Sequence, residues 1–107
     1  MDEPQALTAL SALSQETRLR IVRLLVMAGP GGMPAGSIGD ELGASSSRLS
    51  FHLTHLEHAG LIQSRREGRS IRYSAAYEAL SGLIAFLMRD CCQGRPETCP
   101  PAALGNI

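Results

Sequence analysis

The chain has 107 residues, enough for one domain and too few for a second. An apolar content of 44% excludes a disordered chain, and ten Lys plus Arg against ten Asp plus Glu exclude a partner legible from net charge alone. All ten cations are Arg, each able to grip a phosphate bidentately. The start, MDEPQALTAL, is acidic and lacks an apolar h-region, so no secretion signal is expected. The longest apolar runs, Leu24–Ala28 and Leu83–Met88, are far shorter than the roughly 20 residues of a membrane span. Three Cys, an odd number confined to the last 17 residues, argue against a secreted disulfide scaffold. A cytoplasmic protein with reduced thiols and no membrane partner is the expectation.

In chain order, residues 4–14 carry Leu7, Leu10 and Leu13 at spacing three and read as a short helix. A second helix follows Ser14, a suitable N-cap, with Glu16 in its first turn and Leu19, Val22, Leu25 and Val26 as its apolar face. It stops at Gly29-Pro30-Gly31-Gly32. Ala35–Leu42 reads as a third helix, with Ile38 and Leu42 on one face and Gly43 as terminator. Ser45 is placed to cap a fourth helix, Ser46–His58, whose apolar seam is Leu49, Leu53 and Leu56. The period then changes. Residues 61–66 and 70–74 read as two strands joined by Glu67-Gly68-Arg69. A last helix, about Ala76–Cys92, carries Leu80, Leu83, Ile84, Leu87 and Met88. The pattern predicts a mainly α protein with a small β-hairpin: a helix-turn-helix followed by a wing. Residues 1–92 form the expected DNA-binding and dimerisation domain, and residues 93–107 an expected flexible tail carrying the third Cys.

The fourth helix is the predicted reading element. At about 100° per residue, the face opposite its leucine seam carries Ser47, Phe51, Thr54 and His58, flanked by Arg48, Ser50 and His55. A large aromatic at Phe51 either contacts a thymine methyl in the major groove or packs on a neighbouring element. Its place toward the start of the helix favours the groove. Ser45, Ser46 and Ser47 suit phosphate and base contacts. Arg65, Arg66, Arg69 and Arg72 make the hairpin basic, and Ser45–Ala75 holds five Arg against two Glu. His52, His55 and His58 spread too far around and along the helix for one ion to collect all three. His52 and His55 are assigned to the DNA side instead.

Ala12-Leu13-Ser14-Gln15-Glu16-Thr17-Arg18-Leu19-Arg20-Ile21 resembles the opening signature of the ArsR/SmtB family of metal-responsive repressors. The run from Leu42 to Leu53, ending Leu56-Glu57-His58-Ala59-Gly60-Leu61-Ile62, is similar to that family's recognition helix and wing entry. Gly68-Arg69 and Tyr73 sit where its wing has similar residues, and the likeness covers about residues 6–90. The resemblance implies a homodimer through the first and last helices, bound to an inverted-repeat operator in double-stranded DNA and released by a metal ion or metalloid. Leu7, Leu10, Leu80, Leu83 and Leu87 are the expected dimer contacts. The family's sensing sites vary. Ser37–Leu42 lacks the cysteines of one arsenic-sensing version, and Ser81–Met88 lacks the Asp, His and Glu of a zinc-sensing one. Cys91, Cys92 and Cys99 resemble the adjacent pair plus third Cys of some arsenite-responsive members.

Three thiolates without a nearby His suit a soft ion with trigonal sulfur coordination, As(III) or Sb(III), whereas zinc prefers four ligands. The same thiols leave open a redox or persulfide sensor and a Zn- or Cd-responsive repressor. An enzyme is not expected. The chain has no P-loop, no Gly-rich nucleotide fingerprint and no base paired with a cysteine nucleophile. A winged helix that binds only protein would need neither the basic hairpin nor the hydroxyl-rich helix start.

Overall fold

A computed structural model describes residues 1–89. Its elements run α1 (Glu3–Leu13), α2 (Glu16–Ala28), β1 (Met33–Pro34), α3 (Ala35–Leu42), α4 (Ser46–His58), β2 (Ile62–Glu67), β3 (Ser70–Ala75) and α5 (Tyr77–Met88). The predicted winged helix-turn-helix is observed, with α3 and α4 bounded by the predicted residues. The sheet has one strand more than expected. It is antiparallel in the order β1-β3-β2, with Met33 opposite Tyr73 and Ile62 opposite Ala75.

Local chemistry explains the boundaries. Asp2 and Gln5 form a reciprocal capping box at α1, each side chain bonded to the other's backbone N–H at 2.9 Å. Ser14 does not cap α2. Its hydroxyl donates back to Ser11 O at 2.9 Å, and Gln15 caps α2 by accepting from Arg18 N at 2.8 Å. Gly43 closes α3 in the left-handed conformation at φ 64°. Arg89 leaves helical geometry at ψ 136°, so α5 ends at Met88, short of the predicted extension to Cys92. Asp90 onward, including Cys91, Cys92, Cys99 and the predicted division after residue 92, lies outside the described residues.

The core is built from Ile21, Leu25, Ile38, Leu53, Leu56 and Leu61, all fully buried. Two helices turn differently from their predicted faces. On α1 the inward stripe is Ala6, Ala9 and Ala12, while Leu7 and Leu10 face out. On α2 the inward residues are Ile21, Val22 and Leu25, and Leu19 and Val26 are exposed. Small alanines let α1 lie close to the core, which leaves the leucines to the opposite side. On α5 only Leu83, 5% exposed, is buried in the chain's own core, which removes it from the expected dimer contacts. Ile84 and Leu87 are exposed. Tyr77 Oη donates to Val26 O at 3.1 Å and ties the start of α5 to the end of α2.

Gly32 links the breaker to β1 at φ 69°, and a Cβ there would strike the carbonyl of Tyr73 on β3. Gly43 is also left-handed but has open space around it. Gly43→Ala is expected to cost about 1–2 kcal/mol, the penalty of a left-handed Cβ. Gly32→Ala is expected to cost more, because the β1–β3 pairing must also open. Urea denaturation of the two variants checks this, and equal losses would refute the clash.

Candidate nucleic-acid interface

The tight turn at Gly43 sets the angle between α3 and α4. Ala44 N donates to Gly39 O at 3.1 Å, and a Cβ at Gly39 would lie 3.3 Å from Ala44 O and 3.4 Å from Leu49 Cδ2. The absence of a side chain at Gly39 therefore lets the turn and the start of α4 close over α3. Leu49, Leu53 and Leu56 then anchor α4 by one side. Ser46, Ser47, Ser50, Phe51, Thr54 and His58 remain on its exposed side. Ser45 occupies the N-cap position, but its side chain makes no capping hydrogen bond. The backbone N–H groups of the first turn thus carry no hydroxyl cap from Ser45.

Phe51 is 66% exposed, so packing in the chain does not account for it. Its ring meets His52 and His55 edge-on, at centroid distances of 5.6 and 6.4 Å. These contacts orient the ring without covering it.

His52 is placed differently from its predicted DNA-facing position. It is 8% exposed and turned toward α2, where Arg18 Nη1 lies 3.4 Å from its Nδ1. The signal was present in the spacing, since His52 is three residues after Leu49 and four before Leu56, both core positions. Desolvation is the main cause that pushes its pKa below the ordinary value of 6.5, with Arg18, Arg48 and His55 adding repulsion. Among the described residues no three His, Cys, Asp or Glu side chains converge to hold a metal ion.

The wing is basic with internal pairing. Arg65 and Arg72 stand opposite each other across β2 and β3, and each Nε lies 3.4 Å from Glu67 Oε2. Arg72 also donates to Gly32 O at 3.1 Å and Gly31 O at 3.4 Å, so it braces the loop before β1. Arg66 and Arg69 are exposed and have no carboxylate partner among the described residues. Ser64 Oγ donates to Glu57 Oε2 at 2.6 Å, joining the wing to α4. Burial, with Glu57 adding to it, pushes the Tyr73 phenol above its ordinary pKa. Between wing and helix lies a cleft of about 610 Å³, with Leu49, Ile71 and Tyr73 among its lining and Ser46, Ser50 and Arg69 among its polar groups. An exposed helix face, hydroxyls at its start and exposed guanidinium groups beside it suit a groove plus a phosphate backbone.

Known proteins share this fold. A helix-turn-helix domain family matches residues 13–65. The HTH-type transcriptional regulator YgaV of Escherichia coli K12 is 38% identical over 88 residues, 82% of this chain and 87% of that protein. The structure of an ArsR-like transcriptional regulator from Rhodococcus sp. RHA1 superposes with a TM-score of 0.73 at 31% identity, over 84% of this chain and 82% of that one. The homodimeric winged helix-turn-helix DNA-binding domain of Mb0332 from Mycobacterium bovis gives 0.67 at 29% identity, over 79% and 76%.

His52 also has a consequence for stability. Its folded-state pKa is lowered, so below 6.5 the unfolded chain takes up the proton first. The stability it contributes is complete above that pH and is lost as pH falls through the folded-state value. Urea midpoints from pH 7.5 down to about 5 are expected to decline less in His52→Asn than in wild type; parallel declines would remove His52 as the cause.

Proposed function

The chain belongs to the ArsR family of winged-helix DNA-binding transcriptional regulators, and on that footing we propose a homodimeric repressor released from its operator by As(III) or Sb(III) bound to Cys91, Cys92 and Cys99. The DNA-facing part rests on the outward row Ser47, Phe51 and Thr54 beside Arg66 and Arg69, which have no carboxylate partner among the described residues. Phe51 and Ser50 meet base edges in the major groove, with Phe51 against a thymine methyl. Ser45, Ser46, Ser47, Arg48 and His55 serve the flanking phosphates and bases. Arg65, Arg66 and Arg69 hold the backbone beside the wing, and Arg72 steadies the wing from behind. His52 has no part in the contact.

Dimerisation rests on the apolar side chains that α1 and α5 turn outward. Leu7 is 60% exposed and Leu87 56%, with Leu10 and Ile84 on the same two helices. Burying each against a second copy is worth roughly 1.5–3 kcal/mol, and the homodimeric relative is a precedent for the pairing. A two-fold dimer presents two α4 helices, which is the symmetry an inverted repeat matches. The inducer part rests on the three clustered thiols and on the adjacency of Cys91 to the sequence of α5. Drawing the thiolates together on one ion changes the end of the dimer helix and with it the spacing of the two reading helices. Couplings of this kind are typically about 1–3 kcal/mol, or roughly 5–150-fold in affinity.

Fluorescence anisotropy with a duplex from upstream of the protein's own gene tests the whole reading. The reduced protein is expected to bind with a steep salt dependence. As(III) and Sb(III) are expected to release it, with release lost in Cys91→Ser/Cys92→Ser and blunted in Cys99→Ser. Release by oxidant alone would make the thiols a redox switch. Release by Zn(II) or Cd(II) alone would replace the metalloid, and no binding to any duplex would overturn the repressor reading.

Light scattering tests the dimer. Leu7→Glu/Leu87→Glu is expected to give a folded monomer with weakened operator binding, whereas Leu83→Glu is expected to unfold the chain. A dimer that survives the double change would place the interface elsewhere.

A further inference from the structure

Arg18 is half-buried where three helices meet. It sits in the first turn of α2, the positive end of that helix, where a cation is unfavourable for its own helix. Its side chain instead turns back to α1. Nε donates to Ala12 O at 2.7 Å, in the last turn of a helix with no basic residue there of its own. Arg18 therefore supplies α1 with the C-terminal cation it lacks. The same guanidinium reaches α4, with Nη1 3.4 Å from His52 Nδ1. Arginine has no acceptor, so this contact requires Nδ1 to carry a lone pair. A hydrogen bond here is made by the neutral tautomer, the one with its proton on Nε2.

We propose that Arg18 is the positioning residue that fixes the reading helix to the dimer-facing helix, bridging Ala12 O on α1 and neutral His52 on α4. This deepens the DNA-binding reading and is independent of which effector releases the operator. α1 carries Leu7 and Leu10 on its outer side, and α4 carries Phe51 next to His52. One planar group thus sets the angle at which the dimer layer presents Phe51. Protonation of His52 puts a donor on Nδ1 facing another donor, and two cations meet at a buried site.

The charges acting on His52 are Arg18 from α2 and Arg48 and His55 from α4 itself. α1 offers it no ionisable group here, since Ala12 contributes a carbonyl already held by Arg18. β2 meets α4 through Ser64 and Glu57. α3 carries Asp40 and Glu41, both exposed and neither acting on His52, so among the described residues no carboxylate offsets its charge once protonated.

The test is operator affinity of the full chain from pH 8 to about 5, by anisotropy on the duplex used above, for wild type, Arg18→Ala and His52→Asn. The Asn amide oxygen stands near the place of Nδ1 and accepts from Arg18 without titrating. At pH 8, His52→Asn is expected to bind within about twofold of wild type and Arg18→Ala roughly tenfold or more weakly, with helical content and dimer mass unchanged. Below pH 6.5 wild type is expected to lose affinity relative to His52→Asn. His55 and His58 are common to both proteins, so the ratio isolates position 52. Parallel pH profiles, or wild-type affinity in Arg18→Ala, would overturn the proposal. If Arg18→Ala fails to fold, the pH ratio alone decides. No binding by wild type at any pH would overturn both this and the repressor reading.

Discussion

A helix held by one side is free to present the other, and the usefulness of α4 depends on how narrow its hold is. Leu49, Leu53 and Leu56, with His52 beside them, bury one side of α4 in the core that also holds Ile21, Leu25 and Ile38, and leave the opposite face without an internal task. Because the backbone turns about 100° per residue, fixing the seam fixes the outward direction of Ser47, Phe51 and Thr54 as well. The affinity of the outward face for DNA and the stability of the inward face are thereby separated. Substitutions on the first can retune recognition while the fold is maintained by the second. Gly39 and Gly43 complete this arrangement, the one by allowing close packing and the other by turning the chain.

The boundaries of α3 and α4 were legible because glycines with a conformational task mark their ends. The wing was legible because a period-two pattern surrounds Gly68, which takes φ 62° in the loop. β1 was not, since two residues ending in Pro carry no periodicity, and the pairing with β3 is a long-range event. The inner face of α1 was missed for a different reason. Leucine outranks alanine in any apolar pattern, yet close packing against the core selected Ala6, Ala9 and Ala12. His52 was assigned to DNA by residue type, while its spacing from Leu49 and Leu56 already placed it inside. The end of α5 was set by backbone geometry at Arg89, where the sequence has no Gly or Pro to announce it.

The dimer layer and the reading layer meet directly where α1 packs on α4. Communication between them runs through that packing, and small helix shifts have large effects on the spacing of two half-site readers. In this chain α5 is tied to α2 by Tyr77, and α1 to α4 by Arg18. No helix among the described residues is long and apolar enough to cross a membrane.

The wing behaves as an ion exchanger. Arg65 and Arg72 face each other across the strands and share a single carboxylate oxygen of Glu67. A phosphate approaching Arg65 competes with an anion already in place, so the gain on docking is a difference between two pairings. Salt dependence comes from cations condensed on the DNA, which are released as protein cations neutralise its phosphates. Arg66 and Arg69, with no carboxylate partner among the described residues, bring full charges to that exchange, while Arg65 and Arg72 bring one net charge between them because they share Glu67. The arginine content of the hairpin therefore overstates how steeply its grip responds to ionic strength.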